Sequence, residues 1–371
     1  MLARYLAASP YNLVRVILGE RTAADSATGN VYTRAAGYLD AWIRDGILAR
    51  DPVPALYAYF QDFTVPDTGE QATRKGFIGL GKVEDYSAHV VYRHEQTLSG
   101  PKKDRRQVLD HTRAHFGQIF MLYPDRESAI DTLLDPAAQG GPVLEVTDEY
   151  QARHRVWVIS DGPLIEKIQA LMEPKKLLIA DGHHRYETAL EYRDDHPGDA
   201  AAQYVMMTFV NMYSPGLKIL ATHRVLRNLD GLDAAAFFEG AARRWNIGPL
   251  DMSGSKPASV RIGVVTAGEA RMLERPRKEG ELDVPVLHRE ILGGLLGISE
   301  EAVRDERHIQ YIRGAEAAIA EVRERGAQAA FLMDPTPIGE MARVAFAGGV
   351  MPQKSTDFYP KLLSGVTIYR L

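Results

Sequence analysis

Hydrophobic positions change period several times along the first part of the chain. Residues 12–18 and 55–63 are patterned as strands, whereas 33–45 carries helical spacing and stops at Gly46. Residues 76–82 and 87–92 predict two further strands, followed by a charged helix over 102–115 and a strand over 118–123. A Gly- and Pro-rich loop at 135–142 precedes a predicted hairpin of 143–149 with 153–160. A boundary near Ser160 would separate an N-terminal α+β region, 1–160, from a C-terminal one, 161–371, the two packed around one site.

The downstream pattern is again mixed. Residues 162–172 predict a helix, 176–180 a short apolar strand, and Tyr186, Ala189 and Leu190 give the segment after it a helical face. Strands are expected at 202–212 and 217–227, a helix at 233–245, a β pair within 259–275 and a helix at 285–296. A charged helix at 315–325 ends on Gly326, and a strand at 327–333 and a helix at 338–346 lead to the Gly348-Gly349 break. The expected class is α+β, with mixed sheets and helices.

Composition narrows the function classes. With 371 residues, 45% of them hydrophobic and 25% charged, the chain can bury a core without staples. A formal charge of −5 provides no global basic field, so nucleic acid is not an expected partner. There is no cysteine, which excludes disulfides, thiolate metal sites and cysteine nucleophiles. The first ten residues lack a signal-like apolar stretch, and no run approaches the ~20 apolar residues of a membrane span, so a cytoplasmic protein is expected.

The densest chemistry lies at Asp181-Gly182-His183-His184-Arg185. An apolar strand runs into a turn whose glycine can take φ > 0, and the turn opens onto a helix. Backbone N–H groups at such a helix start attract anions, although the dipole alone contributes only about 0.3–1 kcal/mol at an exposed site. His183, His184 and Arg185 add donors within one turn, and Arg185 can grip two phosphate oxygens as a fork. The competing reading makes Asp181 a helix N-cap and Arg185 a surface ion-pair partner. Metal binding through the adjacent histidines is disfavoured, because they point in different directions and no HExxH-like second pair exists.

Four stretches, SPYNLVRVILGE (9–20), RHEQTLSGPKKDR (93–105), LIADGHHRYETAL (178–190) and MPQKSTDFYPKLLSG (351–365), resemble in this order a prokaryotic family catalogued as domain of unknown function 1015. The resemblance spans nearly the whole chain and implies no established reaction. Some members neighbour phosphoserine phosphatase genes, a hint of serine metabolism. Members usually begin several tens of residues upstream with a Pro-Pro-Tyr-Asp-like segment that is missing here, so a shortened start, or a subgroup lacking one pocket wall, is expected.

The Asp181–Arg185 motif also resembles the Gly-x-x-Arg phosphate motif of the ParB and sulfiredoxin superfamily, which includes a free-serine kinase with an Asp-Gly-His-Thr-Arg version. That resemblance implies a ParB/sulfiredoxin-like nucleotide-binding unit in which Gly182, His183, His184 and Arg185 hold the phosphates of ATP or ADP. Asp181 would then act near the transferred group or its Mg²⁺. Where sulfiredoxin has its catalytic cysteine this chain has His183, which excludes sulfinic-acid repair.

Further candidates flank this motif. His94 and Glu95, with Ser99 and Lys102, lie on a loop before a predicted helix: Glu95 suits deprotonation of a substrate hydroxyl or Mg²⁺ binding, and Lys102 suits phosphate neutralisation. An ordinary helix cap with solvated charges is the plain alternative. Lys354, Ser355 and Thr356, after Gly348-Gly349, can wrap an anion, but the GxxxxGK[ST] spacing of a P-loop is absent. Asn211, His223 and Arg224 are lesser candidates, because charged or polar strand residues more often serve structure. Buried ion pairs equally explain Arg15, Glu20 and Arg113.

The leading expectation is a Mg²⁺-dependent small-molecule kinase, with a serine-like hydroxyl acceptor, or an NTP hydrolase, in which Asp181, His183 and Glu95 are catalytic. A ParB-type protein whose assembly responds to nucleotide is the second reading. A hydrolase or lyase acting on an anionic metabolite through His183 or His184 is the third. The expected partners are a nucleotide and a small-molecule substrate, with no membrane, and a homodimer is left open.

Overall fold

The computed structural model describes residues 2–95, 100–254 and 256–371. Up to Asn211 the elements are α1 (Leu2–Ala8), α2 (Val14–Ile17), α3 (Val31–Arg44), β1 (Leu56–Thr64), β2 (Gln71–Lys82), β3 (Val91–Tyr92), α4 (Gly100–Thr112), β4 (Ala114–His115), β5 (Ile119–Tyr123), α5 (Ala129–Ala137), β6 (Leu144–Thr147), β7 (Arg153–Ile159), α6 (Gly162–Met172), β8 (Leu177–Asp181), α7 (His183–Asp195) and β9 (Tyr204–Asn211). Eight of these strands form one mixed sheet in the order β3-β8-β5-β9-β2-β1-β7-β6.

Strand alternation explains why helices cover both faces of this sheet. Along β5, Ile119, Met121 and Tyr123 join a core with Ile179 of β8 and with Val205, Met207 and Phe209 of β9, under Ile130 and Leu134 of α5, Ile168 of α6 and Tyr186 and Ala189 of α7. The intervening residues Phe120, Leu122, Leu178 and Ala180 face the opposite side. There they meet residues from much later in the chain.

Those residues follow a second sheet. After β10 (Lys218–Leu220) come β11 (Thr222–Leu226), α8 (Ala234–Ala242), β12 (Asn246–Pro249), β13 (Ser259–Thr266), β14 (Ala270–Pro276), α9 (Asp283–Val286), a π-helical segment (Leu287–Gly293), α10 (Glu300–Arg304), β15 (Ile309–Arg313), α11 (Ala315–Arg323) and β16 (Ala329–Met333). Six strands pair in the order β12-β14-β13-β16-β11-β15. One face carries α8, α9, the π segment and α10. The other carries α11.

The chain then returns to the first sheet. Met341, Ala342 and Ala345 of α12 (Ile338–Phe346), with Met351 and Phe358, cover the Phe120–Leu178 face. β17 (Asp357–Tyr359) pairs with β10, and β18 (Tyr369–Arg370) pairs with β4. Residues 352–363 thus form a strap along the first sheet, reached only after the second sheet is complete.

The class is α+β, as the pattern predicts. Residues 12–18 are an exception: the Asn12 side chain accepts the Val14 N–H at 3.1 Å and opens the short helix α2 in place of a strand. Val16 then packs on Ala35, Leu39 and Trp42 around α3. Residues 217–227 split between β10 and β11, which belong to different sheets. Among the described residues no helix is long and apolar enough to cross a membrane.

Candidate functional site

β8 delivers Asp181 to the edge of a turn, and Gly182 makes the turn at φ 101° as the N-cap residue of α7. Gly182 carries no side chain to cap the helix, and Asp181 is not its N-cap. The Arg185 guanidinium folds back over the turn and donates to Asp181 Oδ2 at 3.1 Å. Its fit against glycine is close: a Cβ on Gly182 would stand 2.8 Å from Nη2, and one on Gly117 would stand 3.6 Å from Cδ. The Arg185 Nε is buried with no hydrogen-bond partner among the described residues.

More cations gather here than the motif announces. Burial pushes the Asp181 carboxyl up, but the charges of Arg185 and Lys361, with the Arg185 hydrogen bond, outweigh it and hold the group below its ordinary value. Arg105 of α4 is pushed down by burial and by the neighbouring Arg185 charge. Arg74 of β2 is 1% exposed, donates to Gln61 Oε1 at 2.9 Å, to the Tyr359 carbonyl at 3.2 Å and to the Pro360 carbonyl at 2.5 Å, and lies over the Phe120 ring. Burial pushes its pKa down to about 10, against the raising influence of Tyr59 and Asp181.

Behind the turn sits a pair of buried imidazoles. His94 and His183 meet edge to face with ring centroids 4.9 Å apart. His94 Nδ1 lies 2.8 Å from the Ile179 carbonyl, which only accepts, so Nδ1 carries the proton and Nε2 accepts from the Thr356 hydroxyl at 2.7 Å. Burial pushes the His94 pKa down to about 4. His183 is held well below the ordinary histidine value by burial and then by His94, and its Nε2 has no hydrogen-bond partner among the described residues. Both rings are therefore neutral at pH 7.

The strap closes the other side. Glu95 bridges to Met351 in parallel, the Met351 N–H donates to the His94 carbonyl at 2.7 Å, and the Lys354 N–H donates to Glu95 Oε1 at 3.1 Å. Burial raises the Glu95 carboxyl and Asp181 adds to this, against the lowering by Lys354 and Lys361. Arg224 of β11 donates to the Lys354 carbonyl at 2.9 Å. Ser355 spends its hydroxyl on the Pro352 carbonyl at 2.6 Å.

The structure thus brings together Asp181, Gly182, His183, His184, Arg185, His94, Glu95, Lys354, Ser355, Thr356 and, at the rim, Arg224. Lys102 pairs instead with Glu187, one turn along α7. Ser99 lies outside the described residues. Asn211 stands apart: β5 runs antiparallel to β8 and parallel to β9, with Phe120 beside Asp181 but Tyr123 beside Asn211. Its amide binds the Asp125 backbone at 2.7 Å, tying β9 to the start of α5. His223 faces away from Arg224 by strand alternation and accepts the Met333 N–H at 3.1 Å. Arg74, Arg105 and Lys361 are the members that motif reading missed. A charged residue at an inward strand position, as in Thr73-Arg74-Lys75, was the available signal for the first.

Among the described residues no group of three or more His, Asp or Glu is arranged to hold a metal ion. Two carboxylates stand near each other here: Asp181 helps to raise Glu95, and each has one oxygen engaged by a protein donor. Such a pair suits Mg²⁺, which is commonly held by one or two carboxylates together with substrate phosphates.

Comparison with known proteins places the chain. Residues 1–291 match the family described as "Protein of unknown function (DUF1015)", and the chain belongs to that family. No curated protein matches the sequence. Among solved structures, a conserved hypothetical protein from Pyrococcus furiosus aligns at 11% identity and TM-score 0.40, covering 77% of this chain and 93% of its own. A free serine kinase mutant in complex with ADP aligns at 11% identity and TM-score 0.42, covering 76% and 87%. SbnI from Staphylococcus aureus, truncated at its C-terminus, aligns at 10% identity and TM-score 0.40, covering 77% and 85%.

Proposed function

We propose that this member of the DUF1015 family binds the phosphates of a nucleotide at the Asp181–Arg185 turn and transfers a phosphoryl group to a small hydroxyl compound. The observation that carries the reading is the uncapped start of α7, overlaid by Arg185 and facing the Glu95 carboxylate across a cluster of cations. An uncapped helix start offers backbone N–H donors, and a guanidinium adds a fork matched to phosphate oxygens. The motif is read as the phosphate loop of a ParB/sulfiredoxin-like unit.

In this reading the acceptor hydroxyl forms a bond to the terminal phosphorus while the bond from that phosphorus to the leaving nucleotide oxygen breaks. The hydroxyl proton passes to Glu95, whose raised pKa suits a general base. Arg185 and Lys361 balance charge on the transferred oxygens. When bound, Mg²⁺ would be held by Asp181 together with phosphate oxygens and would neutralise phosphate charge. His94 and His183, neutral and buried, fix the turn against the strap. A serine-like compound is the acceptor class.

Thermal unfolding with ATP, ADP, CTP, GTP or pyrophosphate, each with and without Mg²⁺, tests this beside Arg185→Ala. Ligand at 100 times its Kd adds about 2.7 kcal/mol. A nucleotide-specific rise that disappears in the variant supports the reading. No rise with any of them sinks it.

A further inference from the structure

Beside the Lys354 carbonyl lies a group of polar side chains that the phosphate site does not use. Arg224 and Tyr311 are register partners on adjacent strands β11 and β15, so both project from the same face of the second sheet. The guanidinium carbon sits 5.3 Å from the Tyr311 ring centre. The face is the one covered by the π-helical segment, which carries His288.

Three atoms in this corner are buried without a hydrogen-bond partner among the described residues: Arg224 Nε, His288 Nε2 and Tyr311 Oη. Arg224 is 1% exposed. Among the described residues its hydrogen bonds go to the Thr222 and Lys354 carbonyls and none goes to a carboxylate. The Nε of this buried guanidinium lacks an acceptor and its bonded partners carry no charge, Glu95 acting on it only at a distance, which is costly unless an anion comes to it. Arg74 shows the contrast, since all three of its nitrogens have acceptors. His288 and Tyr311 are themselves only half-buried, which leaves the corner a way in from solvent.

Charge selects the guest. Burial and the Arg224 charge push the His288 pKa down to about 3, so the ring is neutral, and burial raises the Tyr311 phenol, which stays protonated. The corner therefore offers one positive charge and neutral donors. A monoanionic carboxylate matches that better than a dianionic phosphate does.

We propose that Arg224, His288 and Tyr311 form a carboxylate subsite that holds the acidic end of the second substrate, presenting its hydroxyl toward Glu95. The inference rests on the phosphoryl-transfer reading for its role, and the substrate class it names is a small hydroxy-carboxylate. Glu95 lies within electrostatic reach of both Arg224 and Tyr311, which places the subsite next to the proposed base.

The test uses the full chain and Tyr311→Phe, which removes a hydroxyl that no described residue binds. Calorimetric titration is run with glycolate, with its uncharged analogue glycolamide and with inorganic phosphate, and separately with the nucleotides. Expected are binding of glycolate but not glycolamide, and a loss of about tenfold or more in glycolate affinity in Tyr311→Phe, as for one hydrogen bond to a charged group. The melting temperature of the unliganded variant should be equal to or above that of the native chain. Equal glycolate binding by both proteins, or tighter binding of phosphate than of glycolate at this corner, overturns the proposal. Glycolate binding that is lost in the variant while no nucleotide binds either protein supports the subsite and removes the phosphoryl-transfer reading.

Discussion

Thr356 donates its hydroxyl proton to Nε2 of His94 across 2.7 Å, joining residues 262 positions apart. His94 is 0% exposed, so Nε2 has no access to water if this donor is removed. Thr356→Val keeps the shape and deletes the donor. It should cost about 1–3 kcal/mol, the penalty for a buried group left unpaired, read as a lower urea midpoint at unchanged slope. Thr356→Ser should restore most of it.

The same histidine makes stability depend on pH. The folded pKa values of His94 and His223 are pushed down to about 4 from an ordinary 6.5, in both cases chiefly by burial. The unfolded chain therefore binds more protons than the native one between those values. Stability is fully present above about pH 6.5 and falls as the pH drops toward 4, by up to ~1.4 kcal/mol per pH unit for each ring. Urea unfolding at pH 7, 6 and 5 should show this slope, and His223→Gln should flatten it. A slope unchanged by the substitution would refute the assignment.

Gly182→Ala should damage both fold and site. The residue sits at φ 101°, and a Cβ there would stand 2.8 Å from Arg185 Nη2. A side chain in this conformation costs about 1–2 kcal/mol, and the guanidinium must leave its place over the turn. The melting temperature should drop, and any nucleotide-induced rise should shrink further than stability alone explains.

Arg74→Met should loosen the strap. The substitution removes the donors to the Tyr359 and Pro360 carbonyls, each worth about 1–3 kcal/mol if left buried and unpaired. Limited proteolysis should then cut within residues 352–363 faster than in the native chain. Arg74→Lys should not repair it, because one ammonium cannot reproduce the planar fork.

Local chemistry was legible in the sequence where the chain is its own context. Leu177–Asp181 as a strand, the Gly182 turn and the helix after it follow from an apolar run, a glycine and a 3.6-residue pattern within about fifteen residues. Residues 12–18 failed because a valine-rich run reads as a strand until Asn12 caps a turn and α3 offers its groove. Arg74, Arg105 and Lys361 were invisible because their role depends on distant partners: a lone charged residue gives no periodic signal, and only the folded sheet sets Arg74 under Pro360. His94 and Glu95 were singled out, but that Thr356 and Lys354 would be their partners was set by the strap's path across the first sheet.

The strap also fixes the order in which the protein can become competent. Glu95 and the Lys354 N–H that binds it are separated by 259 residues, and the whole second sheet is made between them. On a ribosome, the segments carrying Glu95, Asp181 and His183 emerge while the wall opposite them is still unsynthesised. A nascent chain in this state exposes the Phe120–Leu178 face and cannot hold a ligand between Glu95 and Lys354. Competence arrives with residues 351–361, so ligand protection during synthesis should switch on late and in a single step.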